Sequence, residues 1–289
     1  MDYGFCLPNF PAGASAEGID AAAETAERLG WSTVWTTDHV LVPDDSADDY
    51  GRIYEAILTL AWVGARHPRI RLGTSVIVVP QRNAVVLAKE LATLDDLSGG
   101  RVVAGVGVGW HAGEFANVGA ADRFHVRGAY LDETIRLWRH LWSGSREPFP
   151  GRFHVLDDFA FEPLPVQSPL PIVVGGRDPR ALRRAGALAD GYHSSAVGPA
   201  TYAERVPAVL AAATEAGRPA PWLSARVRVE TTQASTGYAM RGSAEEIVTE
   251  VRAFAALGVT HLALSFGTTD PTELVERADA FARDVAPLI

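Results

Sequence analysis

Eight short apolar runs, separated by eight amphipathic stretches, are the strongest constraint on how this chain can fold. The runs fall at residues 3–7, 33–37, 70–79, 102–108, 172–175, 191–196, 224–229 and 261–266. Most are continuous and rich in β-branched residues, as expected of parallel strands covered on both faces. Helical patterns lie between them at 17–29, 54–65, 84–97, 127–142, 179–188, 200–213, 244–257 and 271–285. The punctuation agrees. Pro179 and Pro271 stand near helix starts, where the first amides have no partner to lose. Ser243 and Glu246 have the spacing of a capping box, and Gly30, Gly217 and Gly258 stand where helices stop. Eight alternations without a break in composition predict an α/β fold, a closed (β/α)8 TIM barrel, although a doubly wound sheet has the same local pattern. Two stretches depart from the repeat. Residues 145–171, rich in Pro, Phe and Asp, read as an inserted hairpin or lid-like excursion after strand 4, and 231–242 as a second insertion near strand 7.

In a barrel of this kind the residues at the strand exits converge on one mouth. Here they are Asn9 and Phe10, then Asp38 and His39, then Thr74 and Ser75. The fourth strand delivers Gly107, Gly109, Trp110 and His111, the fifth Gly175, Gly176 and Arg177, and the sixth His193, Ser194 and Ser195.

Each group has a chemical and a plain reading. His39 can exchange protons near neutral pH with Asp38 setting its orientation or charge, or it is a loop histidine with one hydrogen bond. The run Gly105-Val106-Gly107-Val108-Gly109-Trp110 fails the strict dinucleotide spacing, because Trp110 takes the place of the last glycine. Its glycines let the backbone approach a flat ring beside Trp110, or serve close strand packing. Gly175-Gly176-Arg177-Asp178-Pro179 joins a strand to a helix start, a geometry that offers amides and a guanidinium to a phosphate. A plain glycine turn fits it equally well. Thr74 and Ser75 are polar inside a buried strand and must find partners, a ligand among them.

Composition excludes several functions. With 35 acidic against 26 Lys and Arg residues, and no basic run, the chain has no nucleic-acid footprint. Lys89 is the only lysine and lies in a helical pattern, which disfavours Schiff-base chemistry. No dense His, Cys and carboxylate spacing marks a metal site, so no metal is expected. A lone cysteine, Cys6, no visible secretion signal and no membrane-length apolar run lead to the expectation of a soluble cytoplasmic protein.

Several linked blocks resemble the luciferase-like monooxygenase superfamily. They are Leu72-Gly73-Thr74-Ser75-Val76, Pro80-Gln81-Arg82-Asn83-Ala84, Leu87 through Asp95, and Leu97-Ser98-Gly99-Gly100-Arg101. Trp35 through His39, Gly105 through Trp110, Val174-Gly175-Gly176, Ala189 through Tyr192 and Gly258 through Leu262 extend the match over nearly the whole chain. More narrowly, the blocks look like the actinobacterial oxidoreductases that depend on coenzyme F420, a deazaflavin. The resemblance treats residues 1–289 as one luciferase-like barrel domain.

What the resemblance implies follows residue by residue. Asp38 and His39 match a pair near the isoalloxazine-type ring, with His39 the proton-transfer residue. Thr74 precedes Ser75-Val76, which match a non-prolyl cis peptide forming a bulge behind the ring. Gly107 and Gly109 match ring-side positions; Gly175, Gly176 and Arg177 the phosphate loop; and His193 is counted with the cofactor residues. In the sugar-phosphate dehydrogenases of the superfamily a glutamate acid follows the Gly-x-Gly. Here that catalytic place is held by Trp110, with Glu114 nearby but offset, which argues against glucose 6-phosphate. The expected activity is hydride transfer between F420 and a small organic substrate. The alternatives are a monooxygenase using FMN from a separate reductase, and a catalytically silent cofactor-binding barrel. A homodimer is implied by the resemblance alone.

Overall fold

The computed structural model describes residues 1–230 and 237–289. Its strands are β1 (Asp2–Cys6), β2 (Thr33–Thr36), β3 (Arg71–Thr74), β4 (Ile77–Val78), β5 (Val102–Gly107), β6 (Phe149–Pro150), β7 (Val155–Leu156), β8 (Ile172–Val174), β9 (Gly191–Ser195), β10 (Trp222–Glu230), β11 (Met240–Arg241) and β12 (His261–Ser265). Strands β1, β2, β3, β5, β8, β9, β10 and β12 pair in that order, all in parallel. β12 then returns to β1, with Asp2 opposite His261 and Phe5 opposite Leu264, and the barrel closes. The doubly wound alternative is thereby excluded.

The helices are α1 (Ala16–Arg28), α2 (Ala47–Tyr50), α3 (Ala56–Arg66), α4 (Ala84–Ser98), α5 (Ala112–Asn117), α6 (Arg127–Trp142), α7 (Pro179–Leu188), α8 (Pro199–Glu215), α9 (Ala244–Ala256) and α10 (Pro271–Asp284). Their ends follow the sequence. Asn83 caps α4 by accepting from the Val85 and Val86 amides, Asp178 caps α7 ahead of Pro179, and Ser243 with Glu246 forms the expected capping box. Helix α3 starts two residues later than its periodicity suggests, because the Glu55 side chain caps it by accepting from Leu58 N. The helices bury their apolar faces against the outside of the barrel, in one continuous core that includes Phe5, Leu72, Val106, Trp138 and Leu264.

Inside the barrel a second, smaller cluster forms around Trp35 with Cys6, Val103, Val173 and Ala263. The Trp35 indole fills the space that side chains on neighbouring strands would need. A Cβ on Gly73 would lie 2.4 Å from the ring, and one on Gly4 would lie 2.6 Å from its Nε1. Trp35 Nε1 donates to His261 Nε2 at 3.0 Å, while His261 Nδ1 lies 2.8 Å from the Asp2 carboxylate. His261 is thus a structural residue at the strand-entry end.

Three features depart from the simple repeat. The run 70–79 is not one strand. β3 faces β5 with Gly73 opposite Val103, and β4 resumes with Ile77 opposite Val106. Four steps on one strand face three on the other, so one residue is extra and the strand bulges. The Ser75–Val76 peptide at that bulge is cis, as the resemblance implies. Second, β6 and β7 form the expected hairpin, but it is fastened to the outside of α6. The Glu133 carboxylate accepts from the amides of Arg152, Phe153 and His154 at 2.7–2.8 Å. Third, the insertion at 231–242 lies partly outside the described residues; within it, β11 adds to the end of β10.

Candidate active site

The strand exits bring together most of the expected residues. His39, just beyond β2, is buried, with its Nδ1 3.0 Å from Oε2 of Glu114. Glu114 Oε1 accepts from the Val40 amide at 2.7 Å. Burial raises the pKa of this carboxylate, but hydrogen bonds from His39 and Val40 outweigh it and hold the group below its ordinary value. An ionised Glu114 fixes the proton of His39 on Nδ1 and leaves Nε2 as the atom able to exchange one.

Asp38 has a different partner from the one its position suggests. Its carboxylate turns away from His39, accepting from Val78 N at 2.8 Å and pairing with Arg82, whose Nη2 also lies 2.9 Å from Glu55. Burial lowers the pKa of Arg82, yet the two carboxylates more than compensate and raise it. Asp38 therefore ties the β2 exit to the β3–β4 bulge and to the start of α4. The carboxylate that orients His39 is Glu114.

The floor of the mouth is the bulge. Thr74 Oγ1 donates to Gly105 O at 2.7 Å, and Ser75 N donates to Thr36 O at 2.7 Å. The Val76 side chain lies between two glycines. A Cβ on Gly107 would lie 2.6 Å from Val76 Cγ2, and one on Gly175 would lie 3.0 Å from Val76 Cγ1. These glycines, like Gly105, make room for the bulge itself; for Gly105 and Gly107 this is the close-packing alternative raised by the sequence. Gly109 has φ +72° and stands against Val78 and Phe115.

His193 backs this floor from within the barrel. It is 1% exposed, stacks on Trp35 and contacts Ser75 Oγ and Ser224 Oγ, each at 2.8 Å. Burial, with His261 and Arg226 nearby, pushes its pKa down to about 3, so it is neutral. Ser224 Oγ donates to Tyr192 O, which gives His193 the proton on Nδ1 and lets Nε2 accept from Ser75.

Arg226 on β10 is a mouth residue that the sequence survey missed. Its Nη1 donates to Thr37 Oγ1 at 2.7 Å and to Ser75 O at 3.0 Å, and its guanidinium lies 5.7 Å from the Phe10 ring centre. The signal was available: a charged side chain at a barrel-strand position needs a polar partner inside. On the far side of the floor, Gly175, Gly176 and Arg177 lead into α7. Gly176 has φ +134°, and a Cβ there would meet Ala181 at 2.6 Å, so the loop runs tightly against the first turn of the helix. Asp178 already accepts from the Arg180 and Ala181 amides, which restricts an incoming anion to the loop and Arg177.

Trp110 lies at the rim rather than the centre. It is 59% exposed, with its ring centre 6.3 Å from that of His39.

Residues 1–258 match the model of the luciferase-like monooxygenase family. This chain belongs to that family. Among its curated relatives, the F420-dependent glucose-6-phosphate dehydrogenase of Kineococcus radiotolerans is 37% identical over 171 residues, 59% of this chain and 50% of that protein. The chain spans about half the length of the first curated relatives it matches. The barrel superposes on an F420-dependent secondary alcohol dehydrogenase with a TM-score of 0.83, at 19% identity, covering 100% of this chain and 99% of that one. It is also similar to the FMN-bound oxygenating component of 3,6-diketocamphane monooxygenase from Pseudomonas putida, with a TM-score of 0.82, at 16% identity and 100% and 98% coverage. These two likenesses speak for the luciferase-like fold alone.

Proposed function

We propose that this chain is an F420-dependent oxidoreductase acting on a small organic substrate, with its active site at the barrel mouth. The observation that carries this reading is the His39–Glu114 pair beside the Ser75–Val76 bulge. F420-dependent dehydrogenases among its curated relatives favour the deazaflavin. The donor set fits such a cofactor. Ser75 and Val76 would support the flat ring, while Gly175, Gly176 and Arg177 would receive its phosphate at the start of α7. When bound, the deazaflavin supplies hydride chemistry at a ring carbon. The Ser75–Val76 bulge would hold such a ring, with the buried Trp35 and His193 side chains packed behind it. His39 Nε2 exchanges a proton with the substrate, and Glu114 keeps that nitrogen in the right tautomer. Asp38 enters indirectly, by tying the strand exit that carries His39 to the bulge at Val78 and to Arg82.

Titration of the purified protein with F420 and with FMN tests the reading. Saturable binding of F420 without binding of FMN is the expected result. The opposite preference would overturn it in favour of a reduced-flavin monooxygenase fed by a separate reductase. We also propose a homodimer in a reducing, cytoplasmic setting. The face of α3 and α4 fits self-association, with Leu58 70%, Trp62 39%, Val86 53% and Leu97 80% exposed.

A further inference from the structure

Three aromatic rings surround His39. Tyr50, on α2, lies with its ring centre 4.2 Å from that of His39, and Phe10 stacks behind it at 5.7 Å and 23°. Trp110 stands edge-on to both, 6.3 Å from His39 and 6.4 Å from Tyr50. The three come from the exits of β1, β2 and β5, so the wall is built by separate parts of the barrel. Beside it, Val40 is 49% and Leu41 55% exposed. Large apolar side chains left uncovered together at a mouth, next to a proton-transfer residue, mark a surface that a ligand covers.

Charge narrows the class. The loop carrying Tyr50 holds four exposed aspartates, Asp44, Asp45, Asp48 and Asp49, and His111 beside Trp110 contacts Asp45. These carboxylates lie close enough along the chain for their fields to act together on an entering anion. Arg226, a cation at this mouth, already commits Nη1 to Thr37 and Ser75.

We propose that the mouth selects an uncharged or cationic, apolar, ring-bearing substrate, with Tyr50 and Trp110 as the specificity residues. This rests on the mouth being the active site of an F420-dependent oxidoreductase. Trp110 then acts as a binding wall at the rim of the mouth.

A matched pair of probes tests it: 2-naphthol, neutral near pH 7, and 2-naphthyl phosphate, the same ring with an anion attached. Calorimetric titration of the whole protein, with F420 binding measured in parallel, gives the readout. The expected result is saturable 2-naphthol binding at least about tenfold tighter than that of the phosphate, weakened about tenfold by Trp110→Ala or Tyr50→Ala and little changed by Tyr50→Phe, which keeps the ring. Trp110 is exposed, so its replacement leaves folding intact. Equal or tighter binding of 2-naphthyl phosphate, or 2-naphthol binding indifferent to both positions, would overturn the proposal. F420 binding without 2-naphthol binding overturns the substrate class alone. Trp110-dependent 2-naphthol binding without F420 binding supports the apolar mouth and overturns the cofactor reading.

Discussion

Glu114 Oε2 lies 3.0 Å from His39 Nδ1, although 75 positions separate the two residues in the chain. The short helix α5 makes the contact possible by turning Glu114 back over the β2 exit immediately after the β5 strand ends. His39→Ala should lower kcat by about 10²–10⁴-fold while leaving F420 affinity within a factor of about two. Glu114→Gln keeps the shape and removes the charge, so its loss should also fall on kcat. Steady-state kinetics beside F420 titrations will separate the effects; an Ala variant with full turnover would remove His39 from the mechanism.

Asp38 is buried against Arg82, and removing it leaves Arg82 with the partly exposed Glu55 as its remaining ion-pair partner. Asp38→Ala should cost about 3–5 kcal/mol in stability, because the Arg82 charge is left poorly compensated. Urea unfolding of the two proteins measures this directly. A loss of activity at unchanged stability would instead give Asp38 a direct chemical role.

His193 makes stability depend on acid. Its folded value near 3 lies below the ordinary value of 6.5, so between these the unfolded chain binds a proton that the native barrel does not. Stability contributed by neutral His193 is therefore full above about pH 6.5 and declines as pH falls toward 3, by up to about 1.4 kcal/mol per pH unit. Urea melts at pH 7, 6 and 5 should reveal this slope, and His193→Gln should flatten it. An unchanged slope in the variant would assign the acid sensitivity elsewhere.

Gly107 and Val76 should behave as a coupled pair. Gly107→Ala puts a methyl 2.6 Å from Val76 Cγ2 and should cost roughly 1–3 kcal/mol by overpacking. Val76→Ala removes the colliding atoms, so the double variant should recover part of that loss. Strict additivity in thermal unfolding would show that the contact is not the cause.

Leu97, 80% exposed on α4, lies on the face assigned to self-association. Leu97→Asp should shift the protein from dimer to monomer in sedimentation velocity at micromolar concentration. A dimer unaffected by this change would place the contact on another face.

The barrel was legible because strands covered on both faces have to be apolar along their whole length, and Pro, Gly and capping residues mark the helix ends. The bulge was less legible. A run such as 70–79 has the same composition whether it is straight or broken, and the break becomes visible only in the pairing with β5. Helices α2 and α5 escaped detection because four and six residues are too few to show a period. Glu114 was passed over for the same reason: its offset from Trp110 is corrected by a helical turn that the sequence does not announce. Asp38 and His39 are adjacent in the chain, yet adjacent residues at a strand exit point in different directions, and the two carry separate carboxylate–cation and carboxylate–imidazole pairs.

Trp35, packed with Cys6, Val103, Val173 and Ala263, closes the barrel below the mouth. A vessel stopped at one end has a single door. Whatever rests on the bulge must enter before the molecule that covers it and leave after it. If F420 rests on the bulge as proposed, this order of traffic would make the cofactor first in and last out. The rate at which product vacates the aromatic rim would then govern how soon the cofactor can be exchanged.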